Sequence, residues 1–431
     1  MADAAWAEGE PNPADAADND GAVGRAGMDA VPGVIAPRLY DPVIVFLAGV
    51  LMSLGAVMVY SASATVEGVA FELRDWWHGP LKQAVFAVAG FLVMLVAAHL
   101  DYRVFAWRGR LGGWRAGLLL VLSVVLLLAV FAPGVGESGG GARRAISVRG
   151  LGFSFQPAEL AKTALVVWLA ALLTRPVNPD PADGGVPRGH ILHFTTGFLP
   201  AVATGGLLIA LTGIEDFGTA ALMGVVMLLL LYLGRARFTH LALLGIAGLA
   251  AGGLLIWLKP HRLGRILTWF SEDPDPAGAG YQISQALLAI GSGGWFGRGL
   301  GAGVQKYGYL PQDNNDFILA IICEELGVVG GATVVVLFLA VLLRGWRLAE
   351  QAADGFGRLL ALGLTLTICL QAAMNIGVVT NSIPTKGISL PFVSSGGSGV
   401  VFLGLAAGLL AAVGRTRGVG NSVWRAAHNG E

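Results

Sequence analysis

Glu159, Lys162, Asp216, Glu324 and Glu325 fall inside, or at the edge of, long apolar runs. An ionisable side chain at the centre of a membrane helix costs at least about 2.5 kcal/mol, so such positions are informative. Gln371 and Asn375 add uncharged polarity to a further apolar run. Glu159 and Lys162 are three residues apart, so on a helix they share a face and can pair. Each residue alone could be a structural contact satisfied by a neighbouring helix. Taken together, they read as the wall of a shared polar cavity. Outside the apolar runs, Arg143, Arg144 and Arg149 form a basic cluster, and Glu272, Asp273 and Asp275 form an acidic turn with two prolines. A basic cluster suits an anionic ligand such as a pyrophosphate, or lipid headgroups. An acidic turn is either a solvated surface feature, a general base or a weak divalent-cation site.

The elements that must position these residues are membrane helices. The chain has 431 residues, 55% hydrophobic and 13% charged, about half the charge content of a soluble domain. Crossing a bilayer takes about 20 apolar residues in a helix. Suitable runs lie near 43–61, 82–100, 117–133, 157–174, 195–213, 217–233, 239–258, 317–343, 357–380 and 396–414. The expected fold is therefore an all-α polytopic membrane protein of about ten transmembrane helices. Its outer loop 259–316, between the seventh and eighth, is long and structured. An even number of spans puts both termini on one side. Basic residues are denser in the loops that this topology places inside, among them Arg103, Arg108, Arg110, Arg235, Arg237, Arg344 and Arg347. The positive-inside rule then makes both termini cytoplasmic, and Glu159, Lys162, Asp216, Glu324, Glu325, Gln371 and Asn375 all lie toward the outer half.

The flanks read differently. Residues 1–38 are rich in Ala, Gly, Asp and Pro, which predicts a disordered acidic tail. They lack the pattern of a cleavable signal peptide. Residues 39–415 form the membrane domain, and 416–431 a second cytoplasmic tail. Within the long loop, Ile283, Ala286, Leu287 and Ile290 repeat at helical spacing, with Gln282 and Gln285 off that face. This predicts a short amphipathic helix at the membrane surface. The net charge is zero, so no basic bulk points to nucleic acid. Cys323 and Cys369 lie in apolar runs and imply no disulfide framework. The seven histidines are scattered and suggest no metal cluster.

Five stretches then carry a resemblance. They are Asp41-Pro42 with MVYSAS at 58–63; GARRAISVRGLGFSFQPAELAK at 141–162; DFGTA at 216–220; the segment 275–317 beginning DPAGAGYQ, with AIICEELGVVG at 320–330; and NIGVVTNSIPTKGISLPFVSSGGSG at 375–399. In order and spacing the chain resembles the SEDS proteins (shape, elongation, division and sporulation), and the PTKG at 384–387 looks more like the FtsW branch than the RodA branch. The chain departs from the family pattern at Ala145, Asn314 and Ser395.

The resemblance implies a peptidoglycan glycosyltransferase that polymerises lipid II, an undecaprenyl-pyrophosphate-linked disaccharide pentapeptide, on the outer face of the bacterial cytoplasmic membrane. It implies Asp275 as the catalytic base. Arg143, Arg144, Glu159, Lys162, Lys386, Gln282, Glu324 and Glu325 become candidate substrate-binding residues, with one of Glu324 and Glu325 facing the cavity. Lys162 could instead serve only to hold Glu159, and Lys386 could snorkel to headgroups. Asp275 and Asp273 are candidate ligands for Mg2+ or Mn2+. The implied partners are a single-pass class B penicillin-binding transpeptidase and other division or elongation proteins, with the division septum as the implied site of action. Two other classes fit part of the pattern: a lipid II flippase, which needs no base at Asp275, and a membrane scaffold, which needs no charges inside the bilayer.

Overall fold

The computed structural model describes residues 39–63, 80–107, 113–132, 136–139, 142–148, 153–176, 191–270, 279–306, 316–395 and 397–416. Twelve α-helices and a small sheet make up this part. In chain order they are α1 (Pro42–Ser63), α2 (Pro80–His99), α3 (Trp114–Ala129), β1 (Gly136–Gly139), β2 (Ala142–Val148), β3 (Phe153–Phe155), α4 (Pro157–Leu173), α5 (Leu199–Glu215), α6 (Phe217–Leu233), α7 (Phe238–Trp257), α8 (Pro260–Phe270), α9 (Ala279–Gly293), α10 (Ile318–Glu350), α11 (Gly355–Val379) and α12 (Ser398–Val413). One π-helical turn, Phe194–Phe198, leads into α5.

Among the described residues, six helical segments are long and apolar enough to cross a membrane: α1, α2, the π-turn with α5, α7, α10 and α11. The helices α3, α6 and α12 are apolar but shorter, and α4 carries Glu159 and Lys162. The chain is a multi-pass membrane protein.

Local chemistry sets the helix ends. Asp41 caps α1, its Oδ1 accepting from the backbone N–H of Val43 and Ile44 at 3.1 Å each. Pro157 starts α4, where a missing N–H costs nothing. Asp216 caps α6 and Asp354 caps α11, each accepting from an N–H three residues on.

Glycine lets two helices meet backbone to backbone. A Cβ added at Gly404 would lie 2.2 Å from the carbonyl oxygen of Gly90, and one at Gly408 would lie 2.4 Å from that of Met94. In lipid no hydrophobic force draws helices together, so close packing of small residues is what joins α2 to α12. At the end of the bundle opposite the sheet, Arg344 on α10 forms a bidentate pair with Asp41, and Arg103 lies 3.0 Å from Asp354. Asp41 N–H also donates to Ala411 O at 3.0 Å, so the start of α1 meets the end of α12.

Two elements depart from the expectation. The segment between α3 and α4, where the sequence shows only a basic cluster outside the apolar runs, holds the antiparallel sheet β1-β2-β3. Ile146 stands opposite Phe155, whose ring meets Phe402 of α12 edge-on at 5.2 Å. And α10 is broken. Gly327 has φ 72° and ψ −171°, a conformation open to glycine. The interrupted ladder is completed by the chain that follows α9. Glu324 and Glu325 carbonyls accept from the N–H of Arg298 and Gly299 at 3.0 Å each, while Val328 and Val329 N–H donate to Gly294 and Trp295 carbonyls at 2.9 and 3.2 Å. Broken helices persist in a membrane only when the freed groups are satisfied in this way.

Candidate functional site

The polar residues singled out in the apolar runs gather at the sheet end of the bundle. There the first two turns of α4 bring Glu159 and Lys162 together at 2.9 Å, with side chains 9% and 3% exposed. Lys162 also donates to Gln371 Oε1 on α11, and Gln371 Nε2 donates to Ser389 O at 3.0 Å. Gly399, in the first turn of α12, leaves room beside Glu159: a Cβ there would sit 3.6 Å from its carboxyl carbon. Asn375 is fully buried and donates to the carbonyls of Asp316 and Ile388 at 2.7 Å each. That pair of bonds holds the 380–397 connection against the start of α10. The charged pair is thus fixed from α4, α11 and this connection at once, as a buried ion pair must be to offset its desolvation.

A second cluster lies between α1, α10 and residues 294–306. Glu325 accepts from Ser61 Oγ at 2.6 and 2.8 Å, and Lys306 Nζ lies 3.0 Å from it. Glu324 accepts from the backbone N–H of Val304 at 2.8 Å, with Arg298 at 3.8 Å. The expectation that one of these two carboxylates faces a cavity meets a different arrangement: both are 0% exposed and both are bound by protein groups. Two carboxylates on consecutive residues need two cations, and Arg298 and Lys306 supply them. Lys306 was not anticipated, because a lysine in a Gly-rich loop reads as solvated. The signal that could have found it is charge balance.

The third feature surrounds Phe217, at the start of α6. Lys386 Nζ lies 5.2 Å from the ring centroid and the Arg262 guanidinium carbon 5.6 Å from it. Arg262, on α8, also donates to the carbonyls of Gly213 and Ile214 at the end of α5, at 3.3 and 3.0 Å. Trp269, near the end of α8, donates to Asn381 O at 3.0 Å. Burial pulls Lys386 below the ordinary lysine value. Neither α8 nor the roles of Arg262 and Trp269 were anticipated.

Of the other sequence candidates, Gln282 is half-buried on α9, the helix expected around residues 283–290. Arg143 and Arg144 lie on β2, Arg143 in register with Ser138. Asp273 and Asp275 lie outside the described residues. Among the described residues, no three His, Cys, Asp or Glu side chains group as a metal site.

Residues 42–418 match the model of the FtsW/RodA/SpoVE family, described as cell cycle proteins. The chain belongs to this family. Relatives of the FtsW/RodA/SpoVE type include one from Geobacter sp. (strain M18), named "Probable peptidoglycan glycosyltransferase FtsW". It is 38% identical over 372 residues, 86% of this chain and 95% of the relative. Stage V sporulation protein E of Bacillus subtilis (strain 168) is 37% identical over 377 residues, 87% of this chain and 97% of the relative. Among solved structures, a chain of a peptidoglycan synthase complex that coordinates polymerization and crosslinking matches with a TM-score of 0.66 at 25% identity. The match covers 88% of this chain and 98% of that one. The rod shape determining protein RodA of Thermus thermophilus matches with a TM-score of 0.59 at 26% identity, over 88% and 97%.

Proposed function

We infer that this chain is a peptidoglycan glycosyltransferase, a polymerase of lipid-linked disaccharide pentapeptide units. Its membership of a family whose curated relatives carry that name, at 38% identity over nearly their whole length, carries the reading. The buried polar network at the sheet end supports it, because a site for two lipid-linked sugars needs a rigid polar wall inside a membrane protein.

In the proposed reaction the acceptor sugar's hydroxyl oxygen bonds to the donor's anomeric carbon as the bond from that carbon to the diphosphate breaks. The hydroxyl proton passes to the Asp275 carboxylate, and the diphosphate departs on its lipid. Asp275 follows Trp269, which is tied to the Asn381 carbonyl, by six residues. It precedes α9, whose C-terminal side is tied to α10 at the Gly327 break. Arg143, Arg144 and Lys386 are assigned to the leaving diphosphate, and Gln282 to sugar hydroxyls. Glu159 with Lys162, and Glu324 and Glu325 with their cations, are assigned to the walls. Mg2+ or Mn2+ at Asp275 and Asp273 is retained as a proposal, and undiminished activity after complete chelation would sink it.

Ten of the helices, all but α8 and α9, are assigned as spans, with α8 and α9 lying at the outer surface. On this assignment both termini are cytoplasmic, the sheet end faces outward, and the chain sits in the cytoplasmic membrane at the division septum. A single-pass class B penicillin-binding transpeptidase is the proposed partner, supported by the matched chain's place in a complex that joins polymerization to crosslinking.

The deciding experiment incubates purified lipid-linked substrate with wild type and Asp275→Asn, with and without the transpeptidase. Glycan chains from wild type and none from a folded variant are expected. Movement of substrate across vesicle membranes by both proteins, without any polymer from either, would replace the enzyme with a flippase.

A further inference from the structure

Residues 388–394, between α11 and α12, are buried yet follow neither helix nor strand. Ile388, Leu390, Phe392, Val393 and Ser394 are each 4% exposed or less. Irregular backbone inside a membrane protein persists only where protein groups satisfy its N–H and C=O. Here side-chain amides from two helices supply donors. On α11, one turn apart, Gln371 Nε2 donates to Ser389 O at 3.0 Å and Asn375 Nδ2 to Ile388 O at 2.7 Å. On α2, Gln83 Nε2 donates to Ser394 O at 3.2 Å. The far end of the segment closes on itself, with Leu390 N–H donating to Ser394 Oγ at 2.7 Å. Gly55 of α1 approaches so closely that a Cβ there would lie 2.6 Å from Val393 Cα. Phe392 shows that this shape is imposed from outside: its φ is 65°, a left-handed conformation that a bulky side chain adopts only at a cost. Such strain survives where the surroundings over-determine it.

One of the three amides differs from the others. Gln371 Oε1 accepts from Lys162 Nζ, which is itself paired with Glu159 at 2.9 Å. An ammonium can only donate, and a carbonyl oxygen can only accept. Lys162 therefore decides which way round the Gln371 amide sits, since a flip would set donor against donor and acceptor against acceptor. Asn375 has no such director, and its Oδ1 has no hydrogen-bond partner among the described residues. The charge pair on α4 is thus carried, through one amide, to the backbone at Ser389. Three residues before Ser389 stands Lys386, whose carbonyl accepts from Ile388 N–H at 3.0 Å.

We propose that Gln371 is a positioning residue that transmits the Glu159–Lys162 pair to residues 386–394, so that the pair acts on the reaction through the placement of Lys386. The transmission is a matter of hydrogen bonding within the chain. Its consequence for catalysis rests on the glycosyltransferase reading, with Lys386 at the leaving diphosphate. A cation displaced by about 1 Å from a developing charge loses far more in rate than in substrate affinity.

The test reads backbone hydrogen exchange across 386–394 in the full chain in nanodiscs, with polymerisation kinetics beside it. Gln371→Met keeps the volume and removes both bonds, while Gln371→Glu keeps the acceptor for Lys162 and removes the donor to Ser389. Each is expected to speed exchange across 386–394 by about tenfold, the loss of one buried hydrogen bond. Each should also lower kcat by about tenfold or more with KM within about threefold of wild type. Glu159→Leu combined with Lys162→Met removes the pair without leaving a lone buried charge. That double variant should speed the same exchange, and adding Gln371→Met to it should bring no further change. Exchange within about twofold of wild type in a folded Gln371→Glu overturns the proposal. So do effects of the pair and of Gln371 that multiply, and a loss that falls on KM with kcat intact. Wild type supplies a check free of folding defects: the bonded amides of Ile388, Leu390, Val393 and Ser394 should exchange as slowly as those of the flanking helices, and exchange at the rate of an open loop also overturns the proposal. Exchange needs no substrate, so failure of wild type to make glycan would remove the enzymatic reading and leave the exchange result standing.

Discussion

Lys306→Met removes one charge from a pair that lies wholly inside the protein. Lys306 Nζ and Glu325 Oε1 are 3.0 Å apart, with side chains 1% and 0% exposed. At an effective dielectric of about 20, unit charges at that distance attract by about 5 kcal/mol. Deleting one partner of a buried pair costs about 3–5 kcal/mol, because the other is left uncompensated. Ser61 continues to donate to Glu325, which favours the lower end, about 3 kcal/mol. At about 2 °C per kcal/mol for a large chain, the thermal midpoint in detergent should fall by about 6 °C. Adding Glu325→Met replaces the whole pair with apolar groups of similar volume, and most of the loss should return. The two single variants and the double variant together give the coupling. A single-variant loss below about 1 kcal/mol, or a double variant that simply adds the two losses, would refute the claim that this pair is a sealed, mutually dependent unit.

Two other substitutions probe the frame. Gly327→Ala should loosen the break in α10, since its Cβ would lie 2.3 Å from Trp295 O at a φ of 72°; faster amide hydrogen exchange across 294–306 and lower polymerisation are the expected readouts. Gly408→Leu should part α12 from α2, where even a Cβ would lie 2.4 Å from Met94 O, and a clear fall in thermal midpoint is expected with no change at the sheet-end residues themselves.

The helices were legible where apolar runs were long, and the Glu159–Lys162 pair was legible because spacing of three defines a shared face. The helix α9 was legible from the repeat of Ile283, Ala286, Leu287 and Ile290, of which Ile283 and Ala286 are buried while Leu287 is exposed. The helix α8 was missed because its apolar positions, Leu263, Leu267 and Phe270, are exposed and interleaved with Arg262 and Arg265 in only 11 residues. Strands β1 to β3 were missed because β1 is the Gly-containing GESG, β3 has only three residues and none of the three carries a run of β-branched residues. The break at Gly327 was invisible because an apolar run continues on both sides of it. Only tertiary geometry shows that residues 294–299 supply the missing ladder bonds.

That break bears on how the chain enters the bilayer. A carboxylate near the centre of an inserting helix carries a penalty of roughly 2.5–3.5 kcal/mol on insertion scales, and α10 carries Glu324 and Glu325 on consecutive residues. The groups that neutralise them, Arg298 and Lys306, together with the donors that complete the ladder, come from the stretch synthesised immediately before α10. Both carboxylates can thus be matched by local contacts before any later helix exists, with Ser61 already in place on α1. The carboxylates of α10 thus have their counter-ions in the stretch of chain that precedes it, so their charge is matched without waiting for α11 or α12.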